Sequence, residues 1–177
     1  MRNMLRIWLA VTVSIFGSAF AESPSPTIRK ILVIGDSLTE GLGVEPSQAF
    51  PNVLEQKLRA DGCPTCKVIN SGTSGSTSAG ARKRLEWQLK GKEPPQILIL
   101  ALGANDGLRG VDVKATKKNL EEVIVLAKSK QIKVLLAGML VPPNYGKTYS
   151  QEFASIFPDL AKTHQVALIP FLLEGVA

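Results

Sequence analysis

The sequence predicts an α/β fold, a three-layer α/β/α arrangement with a five-stranded parallel sheet at its centre. Three observations predict it. Five short apolar runs recur along the chain, each bounded by Gly, Pro or polar residues. Between them lie longer segments whose apolar residues repeat every three or four positions. The two patterns alternate throughout, as strands joined by helical crossovers must.

The chain opens on a segment that stands apart from this pattern. Arg2 and Arg6 precede an apolar run over residues 7–16, which is followed by Ala19-Phe20-Ala21. A basic start, a short apolar middle and an Ala-x-Ala ending predict a secretory signal peptide over residues 1–21. The apolar part falls short of the roughly 20 residues of a membrane span, so no stable span is expected after cleavage. Residues 22–27, rich in Pro and Ser, read as a leader, and residues 28–177 as a single folded domain.

The first strand is expected over 31–34, then strands over 68–69, 97–102, 133–137 and 166–169. Unbroken apolar runs of this length suit strands buried on both faces. Phe50, Leu54 and Leu58 mark the first helix, and Ala81, Leu85 and Leu89 the second. Val113, Leu120, Ile124 and Ala127 follow one face of a longer helix; Phe153, Phe157 and Leu160 mark a fourth, which Pro158 is expected to kink.

Composition narrows the function. The 177 residues are 45% hydrophobic, which suits a folded domain with a sizeable core. The formal charge of +6 falls to +4 without residues 1–21, which hold two arginines and no acids. This excess is dispersed. The densest basic run, Arg82-Lys83-Arg84, has only Trp87 nearby as an aromatic, so it reads as a solvated helix face and no nucleic acid is expected as partner. Cys63 and Cys66, in an exported chain, predict a local structural disulfide. A thioredoxin-like pair should open a helix after a strand, and this one precedes a strand. Zinc would need ligands beyond two Cys and one His, so no metal is expected.

In a parallel sheet, ligands bind beyond the carboxyl ends of the strands. The segments leaving those ends are Gly35-Asp36-Ser37-Leu38-Thr39, then Asn70 through Thr77, then Gly103-Ala104-Asn105-Asp106-Gly107. Each alone has a bland reading. Gly-Asp-Ser is a common turn, and Asn105-Asp106 could cap a helix. Gly75 and Gly80 have P-loop spacing, but Ala81 and Arg82 follow where Lys and Ser or Thr are required. Gly41-x-Gly43 lacks the third glycine of a dinucleotide fingerprint, with Pro46 in its place.

Together and in this order, the three segments resemble the SGNH/GDSL hydrolase family. Gly35-Asp36-Ser37-Leu38 is similar to its first block, with Ser37 as nucleophile. Ser74-Gly75 is similar to the second, whose glycine N–H contributes to an oxyanion hole, and Gly103-Ala104-Asn105-Asp106 to the third, whose Asn amide is another donor. Gly107-Leu108-Arg109-Gly110, the segment from Leu140 through Gly146, and Ile169-Pro170-Phe171 extend the resemblance to the periplasmic thioesterase/lysophospholipase/arylesterase type. The resemblance implies a flavodoxin-like fold and a periplasmic or secreted enzyme. It would cleave carboxylic esters or thioesters, lysophospholipids among them, without metal or organic cofactor. Leu108, Val141 and Tyr145 are expected along a pocket wall. Relatives carry Asp where Ser76 stands.

One departure stands out. The family's fourth block, Asp-x-x-His, which would supply base and orienting acid, occurs nowhere in these residues. The expectation is an incomplete domain, with the last helix missing and part of one sheet face exposed. The only histidine, His164, lies before a strand, whereas Ser37 follows one. Four or five residues at about 3.3 Å each separate those rims by roughly 15 Å, so His164 is not expected to be catalytic. Two classes follow: a secreted serine esterase, or a catalytically inactive truncated relative that binds lipid or carbohydrate.

Overall fold

The computed structural model describes residues 29–176. The expected signal peptide and leader lie outside them. β1 (Arg29–Gly35) is buried from Ile31 through Gly35 and pairs in parallel with β2 (Cys66–Gly72) and β3 (Ile97–Ala101), one on each side. β4 (Lys133–Ala137) pairs with β3, and β5 (Ala167–Ile169) with β4, again in parallel. The order β2-β1-β3-β4-β5 is the flavodoxin-like doubly wound order. The α/β class and five parallel strands match the expectation.

Six helices connect the strands: α1 (Ser37–Glu40), α2 (Phe50–Ala60), α3 (Ala81–Gln88), α4 (Ala104–Leu108), α5 (Val113–Ser129) and α6 (Lys147–His164). Asp112 starts α5 by accepting a hydrogen bond from the Ala115 N–H at 2.8 Å, satisfying an amide that has no partner inside the helix. Leu120, Val123, Ile124 and Ala127 then turn one stripe of α5 into the core. Phe153 and Phe157 of α6 stack edge to face, centroids 5.8 Å apart, and α6 continues through Pro158 to His164.

The two faces of the sheet are covered unequally. Leu32, Ile34, Leu98, Leu100 and Leu136 pack under α3, α5 and α6 in the larger core. Ile31, Val33, Val68 and Ile99 pack under Phe50, Leu54 and Leu58 of α2 in a smaller one. On this second side Ile97, Leu135 and Ile169 are only partly covered, in keeping with the expected exposure. The described residues after β5, 170–176, form turns.

Two boundaries differ from the sequence reading. β2 continues through Asn70, Ser71 and Gly72, which pair with Val33, Ile34 and Gly35. Polar residues persist there because β2 is an edge strand, where side chains reach solvent while the backbone still pairs. Ser37 through Glu40 form one helical turn rather than an open loop.

Cys63 and Cys66 form a disulfide between α2 and β2, with Cα atoms 5.4 Å apart. So short a loop restricts the unfolded chain modestly, by about 2 kcal/mol. Replacing both cysteines with Ser should lower the thermal midpoint and leave ester hydrolysis unchanged; a lost rate without unfolding would contradict a structural role.

Candidate active site

Three loops converge because three strands end level. Gly35 is paired with Gly72 on one side and Ala101 on the other. The chain reverses winding direction between β1 and β3, which opens a crevice beyond their carboxyl ends. Ser37 leaves β1 into this crevice, Asn105 leaves β3, and both line one cavity of about 570 Å³ with Leu108, Leu140, Val141 and Phe171. Of the expected wall residues, Leu108 and Val141 are therefore in place. The Tyr145 hydroxyl donates to the Leu108 carbonyl at 3.0 Å and holds the rim. A second cleft of about 490 Å³ meets Ser37 from the other side, lined by Leu42, Val44, Phe50 and Leu172.

Asp36 fixes the turn that carries Ser37. One carboxylate oxygen, Oδ1, accepts from the Leu38 N–H at 3.0 Å and caps α1. The other, Oδ2, is buried without a hydrogen-bond partner among the described residues, as is Thr39 Oγ1. Burial pushes the Asp36 carboxyl above its ordinary value, against the opposing pull of the Leu38 amide and of Arg84.

Arg84 corrects the reading of the basic run as a solvated face. Arg82 does pair outward, with Glu86 at 3.0 Å, but Arg84 is half-buried and donates to the Gly35 carbonyl at 2.9 Å and to the Ser71 carbonyl. It thus joins the ends of β1 and β2 under the turn that carries Ser37. Burial lowers its pKa, and the nearby Asp36 charge works against that.

Gly75 sits in a turn closed by the Ser76 N–H on the Thr73 carbonyl at 3.1 Å. Its φ of +74° is one that L side chains rarely adopt. The residues on either side of it are tied to the other two loops. Ser74 donates its N–H to Glu40 Oε2 at 2.7 Å and its hydroxyl to the same oxygen. Asn105 donates its amide Nδ2 to the Ser76 carbonyl at 3.0 Å. These bonds tie the residues flanking Gly75 to the segments that carry Ser37 and Asn105, while Gly75 itself is not among the residues lining the cavity that those two share.

Asp106 does not cap α4, whose N-cap position is held by Gly103. The Asp106 side chain is fully buried and accepts from the Ser78 N–H at 2.9 Å and the Ser78 hydroxyl at 2.5 Å. Asn119 of α5 donates in turn to Ser78 Oγ at 3.0 Å. This network anchors the loop after Gly75 to the segment carrying Asn105. Sequence reasoning missed Glu40, Ser78, Arg84 and Asn119, because nothing in a motif signals a partner 10 to 50 positions away.

His164 lies at the opposite rim. Its Nε2 is 2.8 Å from Glu121 Oε1, and its backbone carbonyl accepts from Lys128. A cavity of about 430 Å³ there is lined by Lys128, Gln131, Lys133 and Gln165.

Comparison with known proteins agrees with this geometry. Residues 33–176 match the GDSL-like Lipase/Acylhydrolase family. The arylesterase of Vibrio mimicus is 41% identical over 152 residues, covering 86% of this chain and 75% of that protein. Thioesterase 1/protease 1/lysophospholipase L1 of Escherichia coli (strain K12) is 36% identical over 146 residues, covering 82% and 68%. Among solved structures, AlinE4, an SGNH-hydrolase family esterase, superposes with a TM-score of 0.81 at 38% identity, covering 85% of this chain and 80% of that one.

Two outcomes are expected. Asp106→Ala strands the buried Ser78 donors at about 1–3 kcal/mol each, so urea denaturation should show a loss of about 3 kcal/mol. Asp36→Asn keeps an oxygen for the Leu38 amide and removes the buried charge. Because burial raises the folded pKa above 3.8, the wild type loses stability as pH rises from there through the folded value. Asp36→Asn should therefore gain on the wild type as pH rises across that window, read by denaturation at successive pH values.

Proposed function

The chain belongs to the GDSL-like lipase/acylhydrolase family and is an ester hydrolase, and from that premise we propose that Ser37 attacks the substrate carbonyl while Ser37 N–H, Gly75 N–H and the Asn105 amide hold the oxyanion. The observation that carries this reading is the shared cavity of Ser37 and Asn105, with the Asn105 amide bonded to the residue after Gly75. Cleavage of an ester or thioester places negative charge on the carbonyl oxygen, and donors fixed by folding stabilise it without reorganising at the moment of reaction. A bond forms between Ser37 Oγ and the acyl carbon, the alcohol or thiol leaves with a proton, and water then releases the acid. Aryl esters, thioesters and lysophospholipids fit the mostly apolar walls of both clefts. No step needs a metal or organic cofactor.

A second reading rests on His164. Its imidazole is engaged with Glu121 at the far rim, so it does not take the Ser37 proton. With that imidazole held away from Ser37, the cavity also suits a catalytically inactive relative that binds lipid or carbohydrate. Saturable ligand binding by a chain with no hydrolysis would favour it. Export belongs to the proposal as well: the basic-apolar-small pattern of residues 1–21 and the Cys63–Cys66 disulfide both support an oxidising compartment.

A fluorophosphonate should label Ser37 and no other residue, and Ser37→Ala should abolish hydrolysis of an aryl ester. Asn105→Ala should lower the rate by about 10²–10³, the usual effect of losing one oxyanion donor. Undiminished hydrolysis by Ser37→Ala would reject the mechanism.

A further inference from the structure

Glu40 sits at the end of the helical turn that Ser37 begins, and nothing in the reaction as proposed requires a carboxylate there. Yet it makes the one side-chain connection from that turn to the Gly75 loop among the described hydrogen bonds. Its Oε2 accepts from both the N–H and the hydroxyl of Ser74, 34 positions along the chain. Those bonds, the hydroxyl's first, hold the Glu40 carboxyl below the ordinary carboxylate range. A charged acceptor with two donors from one residue fixes orientation as well as distance.

The backbone reinforces the contact. A side chain on Gly72 would overlap the backbone of Glu40, so the end of β2 lies directly against α1. Three positions later comes Gly75, at a φ of +74° inside the turn closed by Ser76 and Thr73, with its neighbours held on both sides. Asn105 grips Ser76 on the far side, and Glu40 grips Ser74 on the near side.

We propose that Glu40 is a positioning residue of the oxyanion hole, holding the Gly75 N–H in register with Ser37 through Ser74. The proposal rests on the reading of Ser37 as nucleophile and Gly75 as donor. Glu40 touches no substrate. Its effect is confined to the step in which charge develops on the acyl or phosphoryl oxygen, since only then is the Gly75 donor used.

The test uses the full chain and two readouts: the rate at which a fluorophosphonate labels Ser37, and amide hydrogen exchange over residues 73–76. Glu40→Ala should slow labelling about tenfold, less than the ~10²–10³ of a donor removed outright, and should speed exchange over 73–76 while β1 stays protected. Glu40→Gln keeps an oxygen within reach of the Ser74 N–H and should restore labelling to within about threefold of wild type. Glu40→Asp keeps the charge but falls short of Ser74, and should behave like Glu40→Ala. Labelling and exchange both unchanged in Glu40→Ala would overturn the role of Glu40 and leave the nucleophile standing. Slowed labelling without faster exchange would also overturn it. Failure of the wild type to label at Ser37 would reject the nucleophile itself, and with it any role for Glu40 in the reaction.

Discussion

Everything at the carboxyl rim depends on the register of β1, where Gly35 faces Gly72 on one side and Ala101 on the other. Three adjacent small residues form a floor on which α1 rests directly. Thr39 fills the space above Gly35, and the Glu40 backbone fills the space above Gly72. Were either position larger, the turn carrying Ser37 would lift away from β2 and β3, and the loops bearing Gly75 and Asn105 would part from it. The carbonyl of Gly35 adds to the same floor by accepting from both the Thr73 N–H and Arg84. Strand pairing thus sets distances that the loops alone, with so many Gly and Ser, could not hold.

Much of this was legible in the sequence, and the reasons are physical. Buried parallel strands need continuous apolar runs, and all five runs became strands. Helices over a core need apolar stripes, and Leu120, Ile124 and Ala127 lie buried on α5 as spaced. Position beyond a strand end marked the segments that hold Ser37 and Asn105, and the resemblance to the SGNH/GDSL family singled out those two residues within them. What escaped was long-range polar pairing. Arg84 looked like a surface cation because its neighbours are Arg82 and Lys83, yet its turn of α3 faces the ends of β1 and β2. Residues Asn70 through Gly72 looked like loop because the side chains are polar, although an edge strand constrains only the backbone.

The two buried acids near the site show opposite solutions to one cost. Asp106 is wholly enclosed, and its two oxygens accept from the Ser78 N–H and the Ser78 hydroxyl, so it ties two loops together. Asp36 is nearly as enclosed, and one of its oxygens has no partner. Burying a carboxylate without full hydrogen bonding costs stability, and here Arg84 and the Leu38 amide offset only part of that cost. Such a cost persists where the geometry it enforces is needed, and Asp36 is the residue directly before Ser37. Among the described residues, the buried side-chain atoms without a hydrogen-bond partner, Asp36 Oδ2 and Thr39 Oγ1, both lie in the turn that carries Ser37.

Apolar exposure follows the same division. Leu38, Leu42, Val44, Leu108, Leu140 and Val176 are all large apolar residues open to solvent, and all line one or other of the two clefts that meet at Ser37. Trp87 and Val125 are exposed away from the clefts. Each methylene moved from water into such a wall gains about 0.8 kcal/mol, so a substrate with an acyl chain or an aromatic alcohol draws its affinity from the walls on either side of the reacting carbonyl. Polar groups then need only orient that carbonyl. The few at the cavity, Ser37 and Asn105 foremost, are tied into the fold through Asp36 on one loop and the Asn105–Ser76 hydrogen bond on the other. Apolar surface and polar hydrogen-bonding groups are thereby supplied by different residues around Ser37.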